Sequence, residues 1–372
     1  CLINITKGIV MPPPDPRNGV LYHDAEKATP GYTLFTPLGL YQTYLIDMKG
    51  EVVHSWDLPN DVGNYAYLLK NGNLLAAIRT EEGPQGLPAK GGRLLEIDWN
   101  GNIVWEFTDH AQHHDFRRRP DGNTVYVGWE LLDKETQSKV PGGIQGQEHP
   151  DGIYGDYIRE IDKEGNTVWE WHATTDMDMS RFPLSPTVGR MEYAHANTIF
   201  PCENGDFIIN WRYNNTMLRV DRDTKKVSWF LNEPTYGQHH DVQQLENGNI
   251  LFFANGADVN IHGPETGSAV VEVDPATNEE VWRYEGSPRR SFMSWFISGC
   301  QRLSSGNTLI CEGLWGRLFE VTPNGEIVWD YTSPYFVDYD HPAYKDSNVI
   351  FRCYRYTPTS SEIGGRLPTD LS

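Results

Sequence analysis

An all-β, six-bladed β-propeller with four-stranded antiparallel blades is the fold this sequence predicts, and three observations predict it. A short apolar run ending in Trp recurs six times, a tight Gly turn keeps phase with it, and the composition is that of many short strands. Gly, Pro, Trp and Tyr are abundant over 372 residues, with few long apolar runs, which suits strands and turns better than helices. A chain of this length is compatible with one repeat domain.

The Trp runs lie at 50–56, 101–105, 165–169, 227–229, 281–282 and 325–329, and the Trp residues are 49, 64, 60, 53 and 47 residues apart. That spacing is the length of a four-stranded blade with its loops. The second landmark is Asn71-Gly72-Asn73, Asp121-Gly122-Asn123, Asn204-Gly205-Asp206, Asn247-Gly248-Asn249 and Ser305-Gly306-Asn307. These accept the positive φ of a hairpin turn. A third landmark follows each: alternating strands at 94–98, 157–162, 217–221, 270–274 and 318–322 that end in a turn. The predicted blade therefore reads strand, Gly turn, strand, loop, strand, turn, Trp strand. The phased Trp residues are predicted to be inter-blade core. Strands at 32–35 and 44–47 precede the first Trp, and one at 349–353 follows the last, so the two ends are predicted to close one blade.

The whole chain, 1–372, is read as a single domain. Residues 1–20 and 357–372 are read as extended arms, and 130–156 and 172–191 as long loops over one face. Cys1, Cys202, Cys300, Cys311 and Cys353 contain no CxxC pair and suggest neither a disulfide framework nor a zinc–thiolate site.

With 31 basic and 51 acidic residues, the formal charge is −20, which excludes nucleic acid as an expected partner. No stretch approaches the 18 apolar residues of a membrane span, and the N-terminal residues show no charged-then-apolar pattern, so neither membrane insertion nor a signal sequence is expected from these residues. The start at Cys1 is compatible with a mature lipoprotein or with a removed Met, which leaves the compartment, cytoplasmic or periplasmic, and the oligomeric state open.

Counting eight residues back from the Gly of each turn lands on Asn64, His114, Asn197, His240 and Ser298, all polar where a strand that merely packed would be apolar. Around them stand Gln112-His113-His114-Asp115, His195-Ala196-Asn197, Gln238-His239-His240-Asp241 and Asp340-His341. A period of two puts Gln112 with His114, and Gln238 with His240, on one face, and His113 and His239 on the other. His114 and His240 are expected to face the channel; a one-residue slip exchanges them for His113 and His239. Imidazoles sharing an axis must be partly neutral, bind an anion, or bind a metal. Arg212, Arg317, Arg352 and Arg355 offer guanidinium forks for an oxyanion. Gly316 beside Arg317 makes Arg317 the first candidate, whereas Arg117-Arg118-Arg119 is expected to be solvated.

Gly31-Tyr32-Thr33-Leu34-Phe35, Val53-His54-Ser55-Trp56, Gln112-His113-His114-Asp115, His195-Ala196-Asn197, Ser298-Gly299-Cys300-Gln301 and Gly316-Arg317-Leu318-Phe319-Glu320-Val321 together resemble the bacterial arylsulfotransferase-like proteins, in a short form without their N-terminal β-sandwich domain. The resemblance implies a six-bladed propeller and a transferase that moves a sulfuryl group between phenolic compounds through an axial histidine, with no cofactor. It gives His240 as nucleophile, His114 and His195 as acid–base partners and Arg317 as oxyanion clamp. Asn197, Gln238, His113, His239, Arg212 and His341 become contacts to a small aromatic or anionic substrate. The same histidines allow a second expectation, a divalent metal held by His114, His195, His240 and His341 or Gln238 in a lyase or hydrolase. A third is a non-catalytic binding scaffold.

Overall fold

The structure, a computed structural model, describes residues 17–257, 267–338, 341 and 343–371. Six antiparallel sheets follow one another along the chain. Blade 2 is Val62–Leu68, Leu74–Arg79, Gly92–Ile97 and Ile103–Thr108; blade 3 is Gln112–Arg118, Thr124–Leu131, Tyr154–Ile161 and Thr167–His172. Blade 4 is Ala196–Pro201, Phe207–Trp211, Thr216–Val220 and Val227–Asn232; blade 5 is His240–Gln244, Ile250–Ala254, Ala269–Asp274 and Glu279–Glu285. Blade 6 runs Gly299–Arg302, Thr308–Glu312, Arg317–Val321 and Ile327–Thr332. Blade 1 is composite: Ile350–Tyr356, from the C-terminal end, pairs with Tyr32–Pro37, which is followed by Gln42–Ile46 and Val52–Asp57. The first strand of each blade touches the first strand of the next, around a complete ring. These strands line the axis and are almost wholly buried, while outer strands such as Ile103–Thr108 alternate toward solvent.

The six phased Trp residues tie this ring at its rim. Trp56 Nε1 donates to Asp98 O, Trp105 to Lys163 O, Trp169 to Arg222 O, Trp229 to Asn278 Oδ1, Trp282 to Pro323 O and Trp329 to Met48 O, at 2.8–3.0 Å. Each bond reaches the last turn of the next blade, and the sixth closes the circle. The predicted core role is met at Trp56, Trp169 and Trp329, which are buried, while Trp105, Trp229 and Trp282 are half-buried against core clusters, and all six add a polar bond. Inside the rim, the Asn of a Gly turn holds the Glu of the third strand, and that Glu takes an Arg from the following blade. Asn249, Glu272 and Arg302 form one such set, and Asn307, Glu320 and Arg355 the set that joins blade 6 to blade 1. Arg302 and Arg355 stack on Trp282 and Trp329. The Gly turns are as predicted, with φ of +85° at Gly72 and +89° at Gly248, conformations that side chains with a Cβ rarely adopt.

Several expectations need correction. Gly19–His23 is a fifth strand on blade 6, so that part of the N-terminal arm is sheet; 1–16 lie outside the described residues. Residues 357–371 pack against blades 1 and 2: Ile363 is fully buried, and Tyr32 Oη donates to Pro368 O at 2.7 Å. The two insertions bind one another, through Leu184 N–H to Pro141 O at 3.0 Å and Ile144 N–H to Val188 O at 2.9 Å. The second of them packs on Tyr193 and Asn214. Arg117 and Arg118 are not solvated but paired with Asp115 and Asp241, and with Glu96, and Arg119 reaches Glu160 at 3.4 Å. Cys202, Cys300, Cys311 and Cys353 are buried free thiols.

The axial strands are bulged. In blade 3, Tyr126 pairs with Phe116 and Val127 with His113, which leaves His114 and Asp115 as the extra residues. Blade 5 has its bulge after His240, blade 4 at Asn197 and blade 1 between Cys353 and Ile350. A bulge turns side chains that regular pleating would direct between blades. Arg352 is thereby placed between Asp115 and Asp241, 3.1 Å from each, and also donates to Asn197 O and Thr198 Oγ1. Arg117 stands 3.6 and 3.7 Å from the same carboxylates, and Tyr65 donates to Asp115. Desolvation pushes both carboxyls up. Arg117 and Arg352 outweigh it at Asp115, which sits below its ordinary range, while Asp241 stays above. Arg352→Met leaves two buried carboxylates without their nearest cation. It is expected to lower stability by about 3–5 kcal/mol in urea unfolding, with a smaller loss for Arg117→Met; an unchanged midpoint would remove the axial ion cluster from the account of stability.

Candidate active site on the axis

Above the ion cluster, blades 3, 4 and 5 deliver one histidine each. His114 lies in its bulge at φ +50°, His195 precedes its strand at φ +65°, and His240 opens its strand. Gln238, Asp241, Ile297 and Ser298 also have positive φ. Non-glycine residues in this region cost of order 1–3 kcal/mol each and persist where the surroundings over-determine them. His114 and His195 meet edge to face with centroids 4.4 Å apart, and His195 stacks on Tyr213 at 4.3 Å. His114 and His240 both pack beside Phe351, the first tilted at 6.4 Å and the second edge to face at 6.2 Å. All three retain 2–3% exposure, against none for His113 and His239.

Each ring is held by a different partner. His240 Nδ1 lies 2.7 Å from Asn255 Oδ1, and Asn255 Nδ2 donates to Ser294 O and Ile297 O. The amide is thus fixed with its oxygen toward the ring, so His240 carries its proton on Nδ1 and keeps a lone pair on Nε2. His195 Nδ1 lies 3.0 Å from Glu192 Oε1, whose other oxygen accepts from Trp129 Nε1 at 2.8 Å. Glu192 reaches this place because Glu192–Tyr193 adds to blade 3 parallel to Tyr154–Ile161. Burial pushes its carboxyl up to about 7, while the His195 ring it faces is held well below its ordinary range. His114 Nδ1 lies 2.6 Å from His113 Nδ1.

Burial holds all three imidazoles well below their ordinary range. At His195 and His240 the next cause is Arg212, and at His114 it is the neighbouring His195. Arg212 follows the strand Phe207–Trp211, donates its backbone N–H to His195 O at 3.2 Å and extends over the Tyr213 ring. Its Nε is buried without a hydrogen-bond partner. The site is therefore three neutral rings beside one guanidinium.

The structure brings His114, His195, His240 and Arg212 together, with His113 directly behind. It does not bring Arg317 there: that guanidinium forks onto Asp330 at 2.9 and 2.8 Å and pairs with Glu312 at 3.1 Å. His341 stacks on Tyr344 and faces Asp61 at 3.3 Å, away from the other three; Asp340 lies outside the described residues. His239 is packed beside Phe252 inside blade 5. Asn197 donates to His239 O at 2.9 Å and so supports the backbone of the histidine pair, while Gln238 is fixed through its N–H to Asn215 Oδ1. Among the described residues no three His, Cys, Asp or Glu side chains are arranged to hold a metal ion. Glu192, Asp156, Tyr213 and Asn255 escaped the sequence reading. The spacing Glu192-x-x-His195 was visible in it; the other three become neighbours only through sheet pairing.

A family model described as arylsulfotransferase (ASST) matches residues 67–334. The chain belongs to the arylsulfotransferase family. Among solved structures, a protein of unknown function from Bacteroides caccae is 13% identical with a TM-score of 0.53, over 87% of this chain and 98% of that one. A virginiamycin B lyase from Staphylococcus aureus is 12% identical with a TM-score of 0.46, over 86% and 89% of the two chains. At these identities the first likeness concerns the fold alone. Comparison with curated proteins returns no match. No helix among the described residues is long and apolar enough to cross a membrane.

Buried neutral histidines also set the acid limit of this family member. In the unfolded chain each protonates near 6.5; in the fold, burial holds His239 down to about 4, and His114, His195 and His240 are lowered too. Below pH 6.5 the unfolded chain binds more protons than the native one, so their contribution is complete above 6.5 and is lost as pH falls toward 4. Unfolding free energy is expected to drop steeply over that interval. His239→Gln should flatten the slope by close to one proton; an unaltered slope would mean that His239 titrates normally.

Proposed function

We propose that the chain transfers a sulfuryl group from an aryl sulfate to a phenol, with His240 as the nucleophile. The observation that carries this reading is the pairing of three buried, uncharged imidazoles with a guanidinium whose Nε has no partner. The rings supply lone pairs, and Arg212 supplies the positive charge for a sulfate ester in a chain of formal charge −20. Arg212 takes the clamp role expected of Arg317.

His240 Nε2 attacks sulfur. The N–S bond forms as the bond from sulfur to the aryl oxygen breaks, and that oxygen leaves with the electron pair and takes a proton from the His195–Glu192 couple. Arg212 stabilises the equatorial sulfuryl oxygens in the transition state. Because Asn255 cannot take the Nδ1 proton, the sulfated ring keeps its positive charge and remains a good leaving group. The acceptor phenol then gives its proton to His114 Nε2 and attacks sulfur, and the N–S bond breaks. The touching rings of His114 and His195 return the proton.

Rapid mixing with 4-nitrophenyl sulfate, acid-free quenching and mass spectrometry should find one sulfated histidine, at His240. His240→Ala should abolish the adduct, and Arg212→Met should lower kcat by about 10²–10³. An adduct-free enzyme that still turns over, or a stoichiometric metal ion in protein purified without added metal, would sink this mechanism.

A further inference from the structure

Behind His114 lies a second buried pair that the proposed chemistry does not use. His113 stacks face to face on Trp129, with centroids 4.0 Å apart and planes 8° apart. Its Nδ1 meets His114 Nδ1 at 2.6 Å, and its Nε2 stands 3.4 Å from Asp156 Oδ1. Adjacent residues of a regular strand cannot bring their rings together; the bulge at His114 allows it. Asp156 is itself fixed. Its Oδ2 accepts the N–H of Ala194 at 3.0 Å and of Ala196 at 2.7 Å, the two groups that flank His195. Neither His113 Nε2 nor Asp156 Oδ1 has a hydrogen-bond partner: the 3.4 Å between them is a charge contact, and each is the nearest complementary group the other has.

We propose that Asp156 and His113 are positioning residues that set the tautomer of His114. Asp156 is an acceptor only, so His113 carries its proton on Nε2, toward the carboxylate. His113 Nδ1 is then bare and must accept. His114 consequently carries its proton on Nδ1 and presents a lone pair on Nε2, the atom that receives the acceptor phenol's proton. A carboxylate fixes the ring next to it in the same way in serine hydrolases; here a second imidazole passes the constraint one ring further. The same carboxylate, through Ala194 and Ala196, also holds the segment that carries His195.

Asp156→Asn tests this with little change of shape. The two N–H groups of Ala194 and Ala196 require an oxygen at the Oδ2 position, so the amide nitrogen must take the Oδ1 position and donate to His113 Nε2. His113 then carries its proton on Nδ1, and His114 is forced to hold its own on Nε2. In histidine-labelled protein, ¹⁵N NMR should show His114 Nε2 unprotonated in the wild type and protonated in Asp156→Asn, the resonance being assigned by its loss in His114→Gln. The kinetic consequence rests on the sulfuryl-transfer reading: the burst of one equivalent of nitrophenol should persist, while turnover with a phenol acceptor falls by about 10²–10⁴. His113→Phe keeps the stack on Trp129 but removes the bond to His114, and should leave His114 in mixed tautomers. An unchanged His114 tautomer in both variants overturns the proposal. Absence of any burst in the wild type would instead overturn the sulfuryl-transfer reading, and the NMR result would still decide the tautomer.

Discussion

The molecule depends on one guanidinium between two carboxylates. Arg352 comes from the last strand of the chain, Asp115 and Asp241 from the bulges of blades 3 and 5, and burying three such charges is tolerable only because each is satisfied further. Asp115 accepts the backbone N–H of Ile199, and Asp241 that of Cys300, so each carboxylate also ties its blade to the next. Closing the propeller and neutralising its centre are therefore one event. Until Ile350–Tyr356 docks as the inner strand of blade 1, the axis holds two acids and Arg117 alone.

That arrangement divides the axis into two electrical levels. The lower one is charged and self-compensated. The upper one, where His114, His195 and His240 meet, is dry enough that burial keeps the rings uncharged, and Arg212 is the cation that bears on all three. Neutral imidazoles are useful as nucleophile and base, whereas imidazolium would be neither. The cost of the site shows in the backbone, where His114, His195 and their neighbours adopt left-handed conformations stabilised by the blades around them.

The blade count, the Gly turns, the Trp belt and the closing strand were legible because each is a local signal repeated with a period. So was the concentration of histidine at the axial ends of the inner strands. What failed was the period of two. Alternating faces along Gln112-His113-His114-Asp115 require regular pleating, and the bulge replaces it with a contact between adjacent rings. Arg317 was favoured over Arg212 because Gly316 stood beside it, but Asp330, thirteen residues on, pairs across the sheet and occupies its fork. Asp156 lies more than forty residues from His113, and Asn255 fifteen from His240, so only strand register makes them partners. Arg117 looked solvated as one of three consecutive arginines, yet the strand carries it inward to the ion cluster.

The rim has a mechanical meaning. Six indole N–H groups all reach in the same rotational sense, each onto the final turn of the following blade, and the link from Trp329 to Met48 is an indole-to-carbonyl bond like those from Trp56, Trp105, Trp169 and Trp282. The chain ends meet inside a hoop that has no weaker joint at its seam. With Arg355 bound to Glu320 across that seam and Gly19–His23 clasped outside blade 6, a load that opens the ring has no preferred place to start. The histidines at the hub are held in register by a closed circumference, and no single blade can shift its own without straining all the others.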